Sequence, residues 1–190
     1  PPHIANGYVT FGCFGSAEKL NFGLLALWSK VLHAVPHSRL LLQNRGLDAP
    51  ANRQFIQTTL ASLGIAKDRL ILLPGTDRAG VLSNYAKIDI SLDTWPYAGG
   101  NTIAESVWQG VPVIALRGDR LSAAYGASLV AGCGLGDLVA STFDEYVAFA
   151  AQLAQNSQRL IDLRGKLREM LGKNDFGNPT TLARALEDAY

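Results

Sequence analysis

Residues 88–105 read Ile88-Asp89-Ile90-Ser91-Leu92-Asp93-Thr94-Trp95-Pro96-Tyr97-Ala98-Gly99-Gly100-Asn101-Thr102-Ile103-Ala104-Glu105. An apolar run through Leu92 ends in Asp93-Thr94, two glycines break the chain, and a helix-period segment opens at Asn101. A strand that feeds a helix through a glycine turn is the repeating unit of a parallel sheet, because parallel neighbours need a crossover and the crossover helix covers a face of the sheet.

The same alternation extends to either side. Upstream, Tyr8 to Phe14 is expected as a first strand, followed by a helix from about Asn21 to Val35 that Pro36 stops. Arg39 to Gln43 is a second strand, Pro50 to Leu63 a second helix opened by Pro50 and closed by Gly64, and Leu70 to Leu73 a third strand. A short helix over Arg78 to Tyr85 leads into the quoted segment. Downstream come a helix over Asn101 to Gln109, a fifth strand over Pro112 to Leu116, and a helix over Ala123 to Val130 that runs into a turn at Gly132, Gly134 and Gly136. From there the pattern is helical: Asp144 to Ala154, Ser157 to Leu171 and Pro179 to Tyr190, with Asp144 and Ser157 as N-caps and no further strand expected. Asp119 to Ser122 and Lys173 to Asn178 read as loops. One domain over 1–190 is expected, with 142–190 its helical C-terminal part.

Composition bounds the rest. The chain has 190 residues, enough for one α/β domain with a sizeable core. Its 48% hydrophobic content excludes a disordered chain, and 17 Lys plus Arg against 16 Asp plus Glu gives no electrostatic pull toward nucleic acid. Every apolar run is interrupted before membrane-spanning length, so a soluble protein is expected, and two cysteines, too few for a disulfide framework, fit a cytoplasmic location. Cys13 and Cys133 are the only cysteines, each in an apolar stretch where a buried reduced thiol is expected. The start at Pro1, with neither Met nor a signal-type segment, reads as a piece excised from a longer polypeptide.

In an open parallel sheet, ligands bind beyond the carboxyl ends of the strands, where helix N-termini attract anions. After strand four, Gly99 and Gly100 let a ligand approach the backbone, and Asn101 and Thr102 present amides and polar side chains suited to a phosphate. Glu105 lies at i+3 from Thr102 on the same face, where its carboxylate can accept both hydroxyls of a ribose. The bland alternative is a glycine-rich turn with a capped helix. After strand one, Phe14-Gly15-Ser16-Ala17-Glu18-Lys19 places a flexible cation within reach of a diphosphate, unless Lys19 is merely a solvated partner of Glu18. Arg78 follows the same logic more weakly, and Gly75 and Thr76 can offer backbone groups to a base edge.

Other chemistries find no support. The dinucleotide fingerprint Gly-x-Gly-x-x-Gly, the Gly-x-x-x-x-Gly-Lys-Ser/Thr phosphate loop and a Gly-x-Ser-x-Gly elbow are all missing. His3, His33 and His37 show no metal-ligand spacing and read as capping or surface residues. Trp28, Trp108 and Phe149 fall on helical apolar faces and read as core, whereas Trp95 and Tyr97 sit in the ligand loop or pack over the end of the sheet.

Leu92-Asp93-Thr94-Trp95-Pro96-Tyr97-Ala98-Gly99-Gly100-Asn101-Thr102, then Glu105 and Val107-Trp108-Gln109-Gly110-Val111-Pro112-Val113, resembles the C-terminal catalytic half of the O-linked N-acetylglucosamine transferase family, bacterial type. Val9-Thr10-Phe11-Gly12-Cys13-Phe14 with Lys19, Ala127-Ser128-Leu129, Leu163 to Leu171 and Leu186-Glu187 extend the likeness along nearly the whole chain. The resemblance implies the GT-B architecture, two facing Rossmann-like halves of which this chain is the second, usually with tetratricopeptide repeats upstream. It implies an inverting transfer of a sugar from a UDP-sugar to a protein Ser or Thr hydroxyl, with no metal and no cofactor beyond that donor. The acceptor and the family's proposed base would belong to the N-terminal half and other upstream regions, so 1–190 alone would be inactive.

Carried over by position, Lys19 would be catalytic and contact the diphosphate. Ser16, Thr76, Gly99 and Gly100 would line the donor site, Asn101 and Thr102 would take the phosphates, Glu105 the ribose where eukaryotic members have Asp, and Arg78 the uracil. The sequence departs from the family at Val81 and Gly100, which replace histidines, at Ser16, which replaces a glutamine, and at Ala124, which replaces an arginine. Two readings compete: a transferase of the same architecture acting on a glycan or lipid, and a transferase-like module that has lost its donor and serves protein interaction.

Overall fold

The structure is a computed structural model that describes residues 1–173 and 178–190. Strands β1 (Thr10–Cys13), β2 (Arg39–Gln43), β3 (Leu70–Leu73), β4 (Ile90–Leu92), β5 (Val113–Leu116) and β6 (Val139–Ala140) pair in parallel in the order β3-β2-β1-β4-β5-β6. Helices α1 (His3–Asn6), α2 (Phe22–Ala34), α3 (Pro50–Ser62), α4 (Arg78–Asn84), α5 (Asn101–Trp108), α6 (Leu121–Val130), α7 (Phe143–Gln155), α8 (Ser157–Lys173) and α9 (Pro179–Glu187) precede, connect or follow them.

Local chemistry explains the boundaries. Asn21 caps α2 by accepting the Leu24 amide at 3.0 Å, and Asp77 caps α4 by accepting the Gly80 amide at 2.9 Å. Pro50 opens α3, and Gly64 follows it with φ +81°, a left-handed conformation that glycine adopts without a Cβ penalty. The parallel register sets Phe11 opposite Leu40 and Ile90. Because side chains alternate across a strand, Leu40 and Leu42 enter the main core with Phe11, Trp28, Leu24 and Val113. Leu41 faces a smaller cluster of Phe14, Tyr85, Ile88 and Val111. Both faces are therefore covered, which is why these strands read as continuous apolar runs. Gly12 lets the second face close: a Cβ there would lie 2.6 Å from an Ile88 methyl.

Several expectations are corrected. The sheet does not end at strand five: Val139 and Ala140 add β6 beside Ala115 and Leu116. Two residues give too short a pattern to read a period from. Asp144 and Ser157 are not the N-caps; Thr142 accepts the Glu145 amide and Asn156 the Arg159 amide, so each cap precedes the expected residue. Trp108 is 46% exposed, its ring covered by the Arg168 guanidinium at 4.1 Å, while Trp28 is fully buried as expected. Both cysteines are buried, and burial pushes the Cys13 thiol up to about 12. Of the expected Lys173 to Asn178 loop, residues 174–177 lie outside the described residues. No described helix is long and apolar enough to cross a membrane.

Candidate donor site at the switch point

Strands β1 and β4 are neighbours, yet the chain leaves β1 through α2 toward β2 and leaves β4 through α5 toward β5, on opposite sides. Their outgoing loops therefore diverge and open a crevice at the carboxyl end of the sheet. A cavity of about 500 Å³ lies there, lined in part by Phe14, Ser16, Thr76, Arg78, Thr102 and Glu105. Three segments far apart in sequence, those following β1, β3 and β4, thus bring together five of the expected residues. A second cleft of about 460 Å³ carries Lys19, Gly100 and Asn101, with Tyr97 and Tyr125 on its walls.

Lys19 ends a short 3₁₀ turn, Ala17–Lys19, and does not pair with Glu18. Its Nζ donates to the Ala98 carbonyl oxygen at 2.8 Å and sits 4.4 Å from the centre of the Tyr97 ring. The ammonium is thereby held over the glycine loop that opens α5. Ile103 and Ala104 donate to the Gly100 carbonyl, so the Asn101 and Thr102 amides precede the first helical bonds and stay unpaired among the described residues. A lysine near a helix N-terminus with two unpaired amides is a combination that attracts anions. Glu105 keeps its carboxylate at the cavity wall, where Arg78 meets it at 3.2 Å. This pair spans the places expected for base and ribose.

Two expected backbone donors are already engaged. Gly99 is buried, and its amide donates to Asp93 Oδ1 at 2.7 Å; the Gly75 amide donates to Asp48 Oδ1 at 3.0 Å. Gly99 therefore shapes the loop and offers no hydrogen bond to a phosphate. Its missing Cβ would come 2.7 Å from Thr102 Oγ1 and 2.9 Å from Asp93 Oδ1. The aromatic residues of the loop leave the large cavity open: Trp95 packs edge-on against Phe143 with centroids 5.0 Å apart, and Tyr97 is 60% exposed.

Sequence reasoning passed over the loop after β2. Gln43, Asn44 and Arg45 also line the large cavity; Asn44 donates to the Gly15 carbonyl oxygen at 3.1 Å, and Gln43 accepts from Asn84 at 2.9 Å. A polar pair at the carboxyl end of an apolar strand was the available signal. Asp93 was passed over as well. Burial pushes its carboxyl up to about 7, while the Gly99 and Thr94 amides and the Lys19 charge pull it back down. The bland reading of His3 also fails: its Nδ1 lies 2.9 Å from Asp89 Oδ1 and its Nε2 2.7 Å from Ser157 Oγ.

Comparison with known proteins identifies the family and the fold. The chain is 39% identical over 190 residues to a barley (Hordeum vulgare) protein named probable UDP-N-acetylglucosamine--peptide N-acetylglucosaminyltransferase SPINDLY, covering 100% of this chain and 20% of that protein. The chain thus spans about a fifth of the length of the curated relatives it matches. Among solved structures, a K341M mutant of the Thermobaculum terrenum O-GlcNAc transferase superposes with a TM-score of 0.89 at 36% identity, over 97% of this chain and 35% of that one. Anabaena HepE, solved with UDP and glucose, shares the fold alone, with a TM-score of 0.64 at 15% identity over 98% of this chain and 51% of the other. The model of glycosyl transferase family 41 matches residues 3–182. With that match over nearly the whole length and a sheet whose order reverses between β1 and β4, the chain belongs to glycosyl transferase family 41.

Proposed function

We propose that this chain is the donor-binding half of an inverting glycosyltransferase that takes a sugar from a UDP-sugar and passes it, in the whole protein, to a Ser or Thr hydroxyl of a protein acceptor. The observation that carries the reading is the bond from Lys19 to the Ala98 carbonyl oxygen, in the loop that opens α5 with its unpaired first-turn amides, beside a cavity large enough for a nucleotide. The names of the curated relatives support the donor class.

The chemistry is electrostatic. As the bond from the sugar's anomeric carbon to the diphosphate oxygen breaks, negative charge grows on the leaving diphosphate. Lys19 and the Asn101 and Thr102 amides stabilise that charge. The acceptor oxygen attacks from the opposite face of the sugar, which inverts the anomeric centre, and its proton passes to a base supplied by the N-terminal half. The scheme calls for no metal and no nucleophilic residue on this chain. Thr76 and Arg78 face the base, and Glu105 accepts from the ribose hydroxyls once Arg78 releases it. Calorimetric titration with UDP tests the reading: saturable binding that Glu105→Ala weakens about tenfold is expected for a charged hydrogen-bond acceptor. The absence of any heat or thermal shift would exclude the donor role.

A further inference from the structure

We propose that Asp93 is a positioning residue of this donor site, fixing the loop that seats Lys19 and opens the first turn of α5; the inference rests on the donor reading above. Asp93 Oδ1 accepts two amides, Thr94 at 2.8 Å and Gly99 at 2.7 Å, and so closes the intervening segment into a ring. Within that ring Thr94 Oγ1 donates to the Tyr97 carbonyl oxygen at 2.7 Å, and the Ala98 carbonyl oxygen receives Lys19. The Ala98 amide donates to the Ser122 carbonyl oxygen at 2.9 Å, tying the ring to α6. The backbone of Asp93 is anchored in turn: Tyr146 of α7 donates its hydroxyl to the Asp93 carbonyl oxygen at 3.0 Å and is itself in contact with Trp28 Nε1 at 3.3 Å.

The other carboxylate oxygen gives this anchor a charge dependence. Asp93 Oδ2 is buried and has no hydrogen-bond partner among the described residues, and α6 runs directly against it, since a Cβ on Gly126 would lie 2.2 Å away. An ionised carboxylate in that position carries an unpaired acceptor beside the loop that takes the diphosphate. The ionisable groups that bear on it are Lys19, Cys13 of β1 and Tyr146 of α7; burial raises the last two, which stay neutral near pH 7, and α6 contributes Gly126. An anion arriving at Lys19 removes the compensating field of the ammonium and favours a protonated Asp93. Donor binding thus takes up a proton, and affinity rises as pH falls through neutrality.

The test is calorimetry with UDP-N-acetylglucosamine, whose diphosphate is esterified at both ends and does not titrate in this range. The wild-type protein is expected to bind about tenfold more tightly near pH 6 than near pH 8, with proton uptake seen as a dependence of the heat on buffer ionisation. Asp93→Asn keeps an oxygen for the two amides, so it retains binding within about threefold and loses the pH dependence. Asp93→Ala frees both amides and weakens binding more than about tenfold at either pH. If Asp93→Ala does not fold, the pH profile of Asp93→Asn decides. An Asn variant with the wild-type profile, or an Ala variant that binds like the wild type, overturns the proposal while leaving the donor reading intact. A wild-type protein that binds no UDP-N-acetylglucosamine at either pH overturns the donor reading and this inference together.

Discussion

Lys19 and Ala98 are 79 positions apart in sequence and joined by a 2.8 Å hydrogen bond from the ammonium to the carbonyl oxygen. The bond ties the loop after β1 to the loop after β4 across the switch point, so the cation is aimed before any ligand arrives. Preorganised charge costs little rearrangement when the leaving group develops its own.

Replacing Lys19 by Ala is therefore expected to weaken UDP binding by roughly 1.5 to 3 kcal/mol, the range for a charge-assisted hydrogen bond. Because the side chain is half-exposed, the urea midpoint should move little. Calorimetry and an unfolding curve on the same preparation check both parts; unchanged affinity returns Lys19 to a surface role.

Gly126→Ala should damage both the fold and the site. The added Cβ would lie 2.2 Å from Asp93 Oδ2, 2.9 Å from the Ala98 Cβ and 2.9 Å from Ile103 Cδ1, all within packed structure. Overpacking of this kind costs about 1 to 3 kcal/mol. Thermal denaturation should show a lower midpoint, and UDP affinity should fall with it.

His3 fastens the N-terminal helix at the other end of the sheet. Its ring bridges buried Asp89 and Ser157 of α8, its backbone amide donates to Asp89 Oδ1 at 3.0 Å, and Asp89 Oδ2 accepts the Thr10 amide at 2.9 Å. His3→Ala leaves the two amides in place and removes the ring from a buried carboxylate, an expected loss of about 1 to 3 kcal/mol. Chemical denaturation measures it, and UDP affinity should be unaffected because the site lies at the opposite strand ends.

The stability of the folded protein should carry a mark of Asp93. Its carboxyl titrates at about 7 when folded against an ordinary 3.8, so between those values the native state holds a proton that the unfolded state has released. The contribution is fully present below the ordinary value and lost as pH rises to about 7, on the order of 4 kcal/mol at the upper limit. Unfolding free energies of wild type and Asp93→Asn, measured across that window, should diverge in this direction; parallel curves would show that the carboxyl titrates as it does in water.

The alternation of apolar strands and periodic helices was enough to read five of the six strands, the helices from α2 to α9 and the two loops flanking the crevice. Strand β6 and helix α1 escaped because two and four residues carry too little pattern. The caps of α7 and α8 are not decided by residue type, because capping residues stand next to one another at both helix starts and only the geometry shows which oxygen reaches an amide. The spacing of Trp108 fits a core position, but spacing does not reveal that Arg168 covers its ring at the surface.

At the site, sequence by itself determined which residues stand at the carboxyl ends of the strands, because hydrophobic periodicity locates strand ends and the glycines mark where the chain turns into a helix. Only the tertiary structure decided which of those groups remain available. Gly99 and Gly75 spend their amides on Asp93 and Asp48, while Asn101 and Thr102 keep theirs. Hydrogen-bond partners across such distances follow from strand order and loop packing, and local residue types do not encode them.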